Sequence, residues 1–188
     1  MLRTLVVLVG VAFAVVFAGG SSLAADYKET AVLLGKLKES KRSLAEGVRQ
    51  AEQEASFATS AKFEMDGNEL SLSVYTAREG KATDAEHNTL MELSGDPTKA
   101  AWTPKKEVFP DKEHIARASM HLTLMQLSAL SLVNVIEKAG AHQPGMVYSA
   151  NPSARNGRPV VDVLVATPDN RSVHLVVDLL NGAVSEAS

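Results

Sequence analysis

Cysteine is absent from this sequence of 188 residues. The absence excludes disulfide bonds, thiolate metal sites and a cysteine nucleophile. A chain without disulfides depends on buried apolar surface and hydrogen bonds for its stability. This composition is more typical of a bacterial envelope protein than of a small secreted eukaryotic domain.

The sequence also lacks a block of basic residues and the common catalytic motifs. Its 19 Lys and Arg residues are outnumbered by 22 Asp and Glu residues, which gives a net charge of −3. No Gly-rich phosphate loop, HExxH zinc motif or nucleophile elbow occurs. We therefore expect no nucleic-acid partner, no cofactor and no enzymatic activity.

The one long apolar run lies at the N-terminus. Arg3 precedes the apolar residues 5–18, and small residues follow as far as Ala25. This order is typical of a secretory signal peptide, cleaved after Ala24 or Ala25. The alternative is an uncleaved anchor, but spanning a bilayer needs about 20 apolar residues. We expect an exported protein, periplasmic or secreted, with no membrane span after cleavage.

Apolar residues at helical spacing predict two long helical segments. The first runs from Tyr27 to Ala55, with a second start at Ser43, where a capping-box pattern occurs. The second runs from His114 to Ala139, is apolar on more than one stripe and is expected to be largely buried. Asp111 is its predicted N-cap, and Gly140 its predicted end.

A β-hairpin is predicted directly after the first helical segment. Its strands are Phe57–Met65 and Asn68–Thr76, joined by Asp66-Gly67 in a type I′ turn. A two-residue loop at that position places Phe63 opposite Leu70. The apolar side chains then share one face and the polar side chains the other, as expected for a half-buried antiparallel sheet.

A second hairpin is predicted near the C-terminus. Its strands are Val160–Thr167 and Val173–Leu180. Their valines share one face only if the loop has three residues, Pro168 to Asn170, in a type I turn followed by a left-handed residue. This register places Leu164 opposite His174.

The remaining segments are predicted as short strands and connectors. Asn88–Leu93 and Met146–Ala150 are expected to be strands, and Pro152–Gly157 a loop. Residues 96–112 are expected to be a linker, whose Trp102, with Val108 and Phe109, fills the space between two units. The alternative is that this linker is a binding loop.

The order of helix, strand and hairpin occurs twice, which indicates an internal repeat. Ser43 to Ala51 matches Ser131 to Ala139 at an offset of 88 in its Ser, Leu and Ala positions. The predicted fold class is therefore α+β, with two tandem units of a helix and an antiparallel sheet after a signal peptide. The predicted boundaries are 1–25 for the signal peptide, 26–95 for the first unit, 96–112 for the linker and 113–188 for the second unit.

The second unit resembles the PepSY domain. The resemblance rests on the Ser-Leu helix ending in Ala, then "MVYSANP", then "GRPVVDVLVATPDNRSVHLVVDLLNGAV", in which Asp178 and Gly182 occupy the closing Asp-x-x-x-Gly. It implies an exported interaction or regulatory module that binds a peptide or protein partner in the envelope and could inhibit a peptidase supplied in trans. The family implies no catalytic residues.

Three polar residues of the second hairpin form the predicted binding face: Asp162, His174 and Asp178. Asp162 is diagonal to His174 across the strands, within reach of long side chains. The non-functional interpretation of these residues is a solvated sheet face.

The alternative function is a small-molecule or metal-binding envelope protein that uses His114 and His121. That pair lies two helical turns apart, whereas zinc needs three or four ligands.

Overall fold

The computed structural model describes residues 30–187 of the chain, so the predicted signal peptide lies outside the described residues. The helices are α1 (residues 30–36, continued by a 3₁₀ turn at Leu37–Glu39), α2 (Leu44–Ala55), α3 (Lys112–Gln126) and α4 (Leu132–His142). The strands are β1 (Phe57–Asp66), β2 (Glu69–Ala77), β3 (Leu90–Gly95), β4 (Lys105–Val108), β5 (Met146–Arg155), β6 (Arg158–Ala166), β7 (Ser172–Asp178) and β8 (Val184–Glu186). The α+β fold class is confirmed.

The helix predicted from His114 to Ala139 is two helices, α3 and α4, separated by residues 127–131. Ser131 starts α4 because its hydroxyl accepts the Asn134 N–H, while the Asn134 side chain accepts the Ser131 N–H. The prediction failed because apolar residues continue across the break. Gly140 was also wrongly predicted as the end, since α4 continues to His142. The predicted N-cap, Asp111, is confirmed.

The break predicted in the first helical segment is confirmed. Ser43 and Glu46 form a complete capping box at the start of α2, in the same arrangement as Ser131 and Asn134 at the start of α4. The two reciprocal hydrogen bonds of a capping box satisfy backbone N–H groups that have no partner within the first turn of a helix.

The first hairpin forms, but its register differs from the prediction by two residues. The loop is Gly67-Asn68, so Phe63 pairs with Leu72 rather than Leu70. Gly67 alone has a positive φ, +60°, as in a type II′ turn rather than type I′. The longer ladder gains a Met65–Leu70 pair, and a shift of two residues leaves each side chain on its predicted face.

The second hairpin has the predicted register. Leu164 pairs with His174 and Val160 with Asp178, across the three-residue loop Pro168–Asn170. Asn170 has φ +65°, the left-handed conformation that this turn requires, and its N–H donates to the Thr167 carbonyl at 2.9 Å.

All eight strands form one antiparallel sheet in the order β4-β3-β2-β1-β5-β6-β7-β8. The two halves therefore join directly, through the pairs Ala61–Ala150 and Lys62–Ser149 of β1 and β5. Strand pairing joins the halves because the edges of β1 and β5 would otherwise leave backbone groups without partners.

Two segments predicted as irregular belong to the sheet. Residues predicted as a linker include β4, which pairs with β3. The predicted loop Pro152–Gly157 is mostly the second half of β5, followed by a turn at Asn156-Gly157 where both residues have positive φ. Proline is tolerated at residue 152 because β5 pairs with β1 only at Ala150 and Ser149, so the edge beyond those residues is free.

The sheet has helices on both faces. Helices α2 and α4 pack side by side on one face, joined by the Arg49–Glu137 ion pair, and cover its apolar side chains. We call this the helix-pair face. The opposite face is partly covered by α3, which crosses over β1 and β5. We call it the α3 face. Trp102 is buried, and its carbonyl accepts a hydrogen bond from Gln50 of α2, so it packs as core rather than as an exposed loop.

Candidate functional site

The predicted pair Asp162 and His174 is in direct contact on the α3 face. His174 Nε2 lies 2.8 Å from Asp162 Oδ1. Asp162 Oδ1 also accepts from both Nε and Nη2 of Arg155, at 3.0 and 2.6 Å, and Oδ2 accepts from the Ser153 hydroxyl at 2.5 Å. We call these four residues the Asp162 cluster. The diagonal proximity inferred from the register is confirmed.

The Asp162 cluster is internally satisfied. Burial raises the pKa of Asp162, but the hydrogen bonds from Ser153, His174 and Arg155 together outweigh burial and hold this pKa below its ordinary value. The carboxylate therefore stays charged and engaged at neutral pH. Such a group stabilises the sheet and leaves little hydrogen-bonding capacity for a ligand. Its role in binding stays a prediction.

Asp178 belongs to a different ion pair. Its Oδ2 accepts from Nε and Nη2 of Arg158 at 2.9 and 2.7 Å, while Oδ1 accepts the N–H groups of Leu180 and Asn181. The Arg158 hydrogen bond, together with those backbone bonds, lowers the pKa of Asp178. This carboxylate closes the turn after β7, as its position in the Asp-x-x-x-Gly pattern suggests.

His114 and His121 occupy different environments. The His114 ring stacks on Phe109 at 5.4 Å between centroids, and its Nδ1 lies 2.7 Å from Asp111 Oδ2. His121 is buried between α3, to which it belongs, and the sheet, with Nδ1 3.0 Å from the Ser60 hydroxyl. No group of three or more potential metal ligands occurs within residues 30–187. The geometry gives the proposed His114–His121 metal pair no third ligand.

A cavity of about 250 Å³ lies between α3 and the sheet. The sheet contributes Ser60 and Lys62 from β1, Ser73 and Tyr75 from β2, and Asn151 from β5, and α3 contributes Arg117 and His121. We call it the α3 cavity. Ala61 of β1 also lines it; every other lining side chain has a polar group, and no carboxylate is among them.

One hydroxyl in the α3 cavity has no hydrogen-bond partner. Ser73 is 1% exposed, and its Oγ is buried without a partner among the described residues. A buried hydroxyl that makes no hydrogen bond loses its hydration without compensation. Such a group requires an explanation, and a ligand bound in the cavity would supply one.

Burial controls the charge of the cavity. Desolvation lowers the pKa of His121 to about 4, and the positive charge of Arg117 acts in the same direction, so the ring is neutral at pH 7. Desolvation also raises the pKa of Tyr75, which stays protonated and can donate a hydrogen bond. Lys62 pairs with Glu64 beside the cavity, whereas Arg117 has no ion pair within the described chain.

Sequence reasoning identified parts of this cavity without identifying the site. Strand alternation had placed Ser60, Lys62 and Ser73 on the polar face, and His121 had been considered only as a metal ligand. The missing information was the position of α3 on the polar face. The capping residues Ser131 and Asn134 were the one available signal, since the helix break that they mark lets α3 and α4 lie on opposite faces.

Comparison with known proteins leaves the family undetermined. No protein-family model matches the chain, and no curated protein matches it. Among solved structures, a predicted lipoprotein from Clostridium difficile 630 matches with a TM-score of 0.37 and 15% identity, covering 77% of this chain and 89% of that chain. Within residues 30–187, no helix has the length and apolar character needed to cross a membrane.

Proposed function

We propose that this chain is an exported, non-enzymatic PepSY-like binding module that holds a peptide or protein partner at the α3 cavity. Two structural features that occur once in each half of the chain support the proposal of two related units. Capping boxes begin at Ser43 and Ser131, and register shifts occur between Ala58 and Ser60 in β1 and between Val147 and Ser149 in β5. The halves then resemble two copies of one helix-and-sheet unit.

The observation that supports binding is the unsatisfied Ser73 hydroxyl at a polar cavity. The Asp162 cluster and the Asp178–Arg158 pair satisfy their own charges. Among the described residues, the buried Ser73 hydroxyl has no hydrogen-bond partner, and the exposed Arg117 guanidinium, which lies beside the Tyr75 hydroxyl, has no ion pair. Binding requires such donors, because a partner must replace the hydration that it loses. His121 Nδ1 contacts the Ser60 hydroxyl, but no carboxylate among the described residues hydrogen-bonds to the ring, so the cavity does not assemble a triad of serine, histidine and acid.

A peptidase is the partner class to test first, since the PepSY resemblance associates such units with peptidase inhibition. A small-molecule ligand is the second candidate; a cavity of about 250 Å³ would hold one smaller than a typical drug. Both candidates use the same residues, so one set of variants serves both.

The test is partner capture from the envelope extract of the source bacterium by the immobilised mature chain. Arg117→Glu reverses an exposed charge at the cavity, and Lys105→Glu reverses an exposed charge on edge strand β4 as the matched control. We expect a protein retained by the wild type and by Lys105→Glu but lost from Arg117→Glu. Equal capture by both variants would exclude the cavity as the site, and no specific capture by any form would overturn the protein-binding role. A captured peptidase should lose activity when the mature chain is added in excess.

A further inference from the structure

We infer that the α3 cavity recognises the terminal carboxylate of a peptide, with Arg117, Ser73 and Asn151 as its donors. This inference rests on the proposed binding function and specifies the chemistry of the group that binds. It is derived from the donors, the charge and the volume of the cavity.

The donors fit a carboxylate. Arg117 presents a planar guanidinium, which pairs with a carboxylate through two parallel hydrogen bonds. The Ser73 hydroxyl has no partner among the described residues, and its burial means that a ligand oxygen must enter the cavity to reach it. The Asn151 amide already donates one hydrogen bond to Ser149 Oγ at 2.8 Å, which leaves it a second N–H.

The charge balance favours a single negative charge. Of the two cations at the cavity, Lys62 is paired with Glu64, and Arg117 has no ion pair in residues 30–187. His121 adds no charge at neutral pH. Glu92 lies on the same sheet face beside Tyr75, and burial together with the nearby Glu64 carboxylate raises the Glu92 pKa. A phosphate dianion would therefore meet one cation without an ion pair and the neighbouring Glu92 carboxyl, whereas a carboxylate needs only Arg117.

The size and position of the cavity favour the end of a chain. A volume of about 250 Å³ is below the range of about 300–1,000 Å³ typical of drug-sized ligands, so it suits one terminal residue. β1 and β5 pair only at two positions, and Asn151 lies directly beyond the last of them. The unpaired strand edges beyond that point offer backbone groups to the residues that precede a bound terminus.

The probes are the tripeptide Ala-Ala-Ala with a free carboxylate, the same peptide with a C-terminal amide, acetate, and inorganic phosphate. Binding to the mature chain is followed by amide chemical shifts at pH 7. We expect the free acid to bind at least about tenfold more tightly than the amide, which corresponds to about 1.4 kcal/mol. Acetate should bind more weakly than the tripeptide, and phosphate more weakly than acetate. Equal binding of acid and amide would overturn the inference, and so would tighter binding of phosphate. Acetate binding as tightly as the tripeptide would overturn the peptide source.

Substitutions at the cavity residues test whether the peptide binds in the α3 cavity. Arg117→Gln should weaken binding of the free-acid peptide at least about tenfold, and Ser73→Ala should weaken it several-fold. Lys105 is exposed on β4, and Lys105→Gln should leave the binding of this peptide unchanged. Unchanged binding in both cavity variants would overturn the inference. If no probe binds but a partner is still captured in an Arg117-dependent way, this inference fails and the proposed function stands. If neither is observed, both fail.

Discussion

His121 of α3 and Ser60 of β1 are joined by a hydrogen bond of 3.0 Å between the ring Nδ1 and the hydroxyl, in the buried interface between helix and sheet. The bond links residues 61 positions apart in the chain. Together with the buried α3 residues Ala118, Leu122 and Met125, it holds α3 across the sheet beside the α3 cavity.

Acidification should destabilise the fold through His121. Its pKa falls from an ordinary 6.5 to about 4 in the folded chain, so the unfolded chain binds the proton first as the pH drops. The contribution of the neutral His121 ring to the free energy of unfolding is fully present above pH 6.5. It is lost as the pH falls from about 6.5 to about 4. A shift of this size corresponds to about 3 kcal/mol. Urea unfolding at pH 7 and pH 4.5 measures the loss.

His121→Gln should flatten the pH dependence in this interval, and His142→Gln, an exposed histidine at the end of α4, should not. Carboxylates such as Asp162 also titrate at low pH, so the quantity to compare is the difference between each variant and the wild type. Parallel curves for the wild type and His121→Gln would show that the buried ring does not control acid stability.

The two cavity serines should respond oppositely to the same substitution. Ser60→Ala removes the partner of a buried imidazole nitrogen and should cost about 1–2 kcal/mol. Ser73→Ala removes a buried hydroxyl that has no partner among the described residues, so stability should be unchanged or increase by up to about 1 kcal/mol. Thermal and urea unfolding of the free chain test this pair. A loss of stability for Ser73→Ala as large as for Ser60→Ala would show that the Ser73 hydroxyl is satisfied in the free protein.

The Asp162 cluster should contribute to stability. Asp162→Asn removes the charge that Arg155, His174 and Ser153 share, and should cost about 1–3 kcal/mol at pH 7. Because the folded pKa of Asp162 is lowered, this contribution is present at neutral pH and is lost as the pH falls through that pKa. Asp169→Asn, which changes an exposed carboxylate in the adjacent turn, is the control and should have little effect. Equal effects of the two variants would remove the Asp162 cluster as a stabilising element.

Two glycine-to-alanine substitutions in helices should have opposite signs. A Cβ at Gly47 of α2 would clash with Leu72 Cδ2, which is fully buried, so Gly47→Ala should cost about 1–3 kcal/mol. A Cβ at Gly140 of α4 would lie 3.8 Å from Val147, an ordinary contact. Gly140→Ala should therefore stabilise the chain by about 0.5–1 kcal/mol, since alanine favours the helix. Denaturant midpoints distinguish the two, and destabilisation by both would show that α4 is packed more tightly than its contacts indicate.

The hairpins show how far the sequence determines local structure. Alternation of apolar and polar residues fixed the faces of both hairpins correctly, because a strand has a side-chain period of two. The register of the second hairpin was also predictable, since only a three-residue loop places its valines together. The first hairpin allowed two loops of equal length, Asp66-Gly67 and Gly67-Asn68, whose registers differ by two residues. The ladder with the additional Met65–Leu70 pair formed.

The candidate site was much less predictable. The diagonal proximity of Asp162 and His174 was predictable because both residues lie within one hairpin, where register controls distance. The α3 cavity was missed because its residues come from β1, β2, α3 and β5, and their proximity depends on how separate elements pack.

By itself, the sequence determined the α+β composition, the helix starts at Ser43 and Asp111, and which side chains of each hairpin share a face. These features depend on interactions among residues close in the chain, such as capping bonds, turn conformations and strand alternation. Only the tertiary structure decided that β1 pairs with β5, that α3 lies opposite α2 and α4, and that Ser73 is buried without a partner among the described residues. Those outcomes depend on burial and hydrogen bonding between distant segments, which no local pattern records.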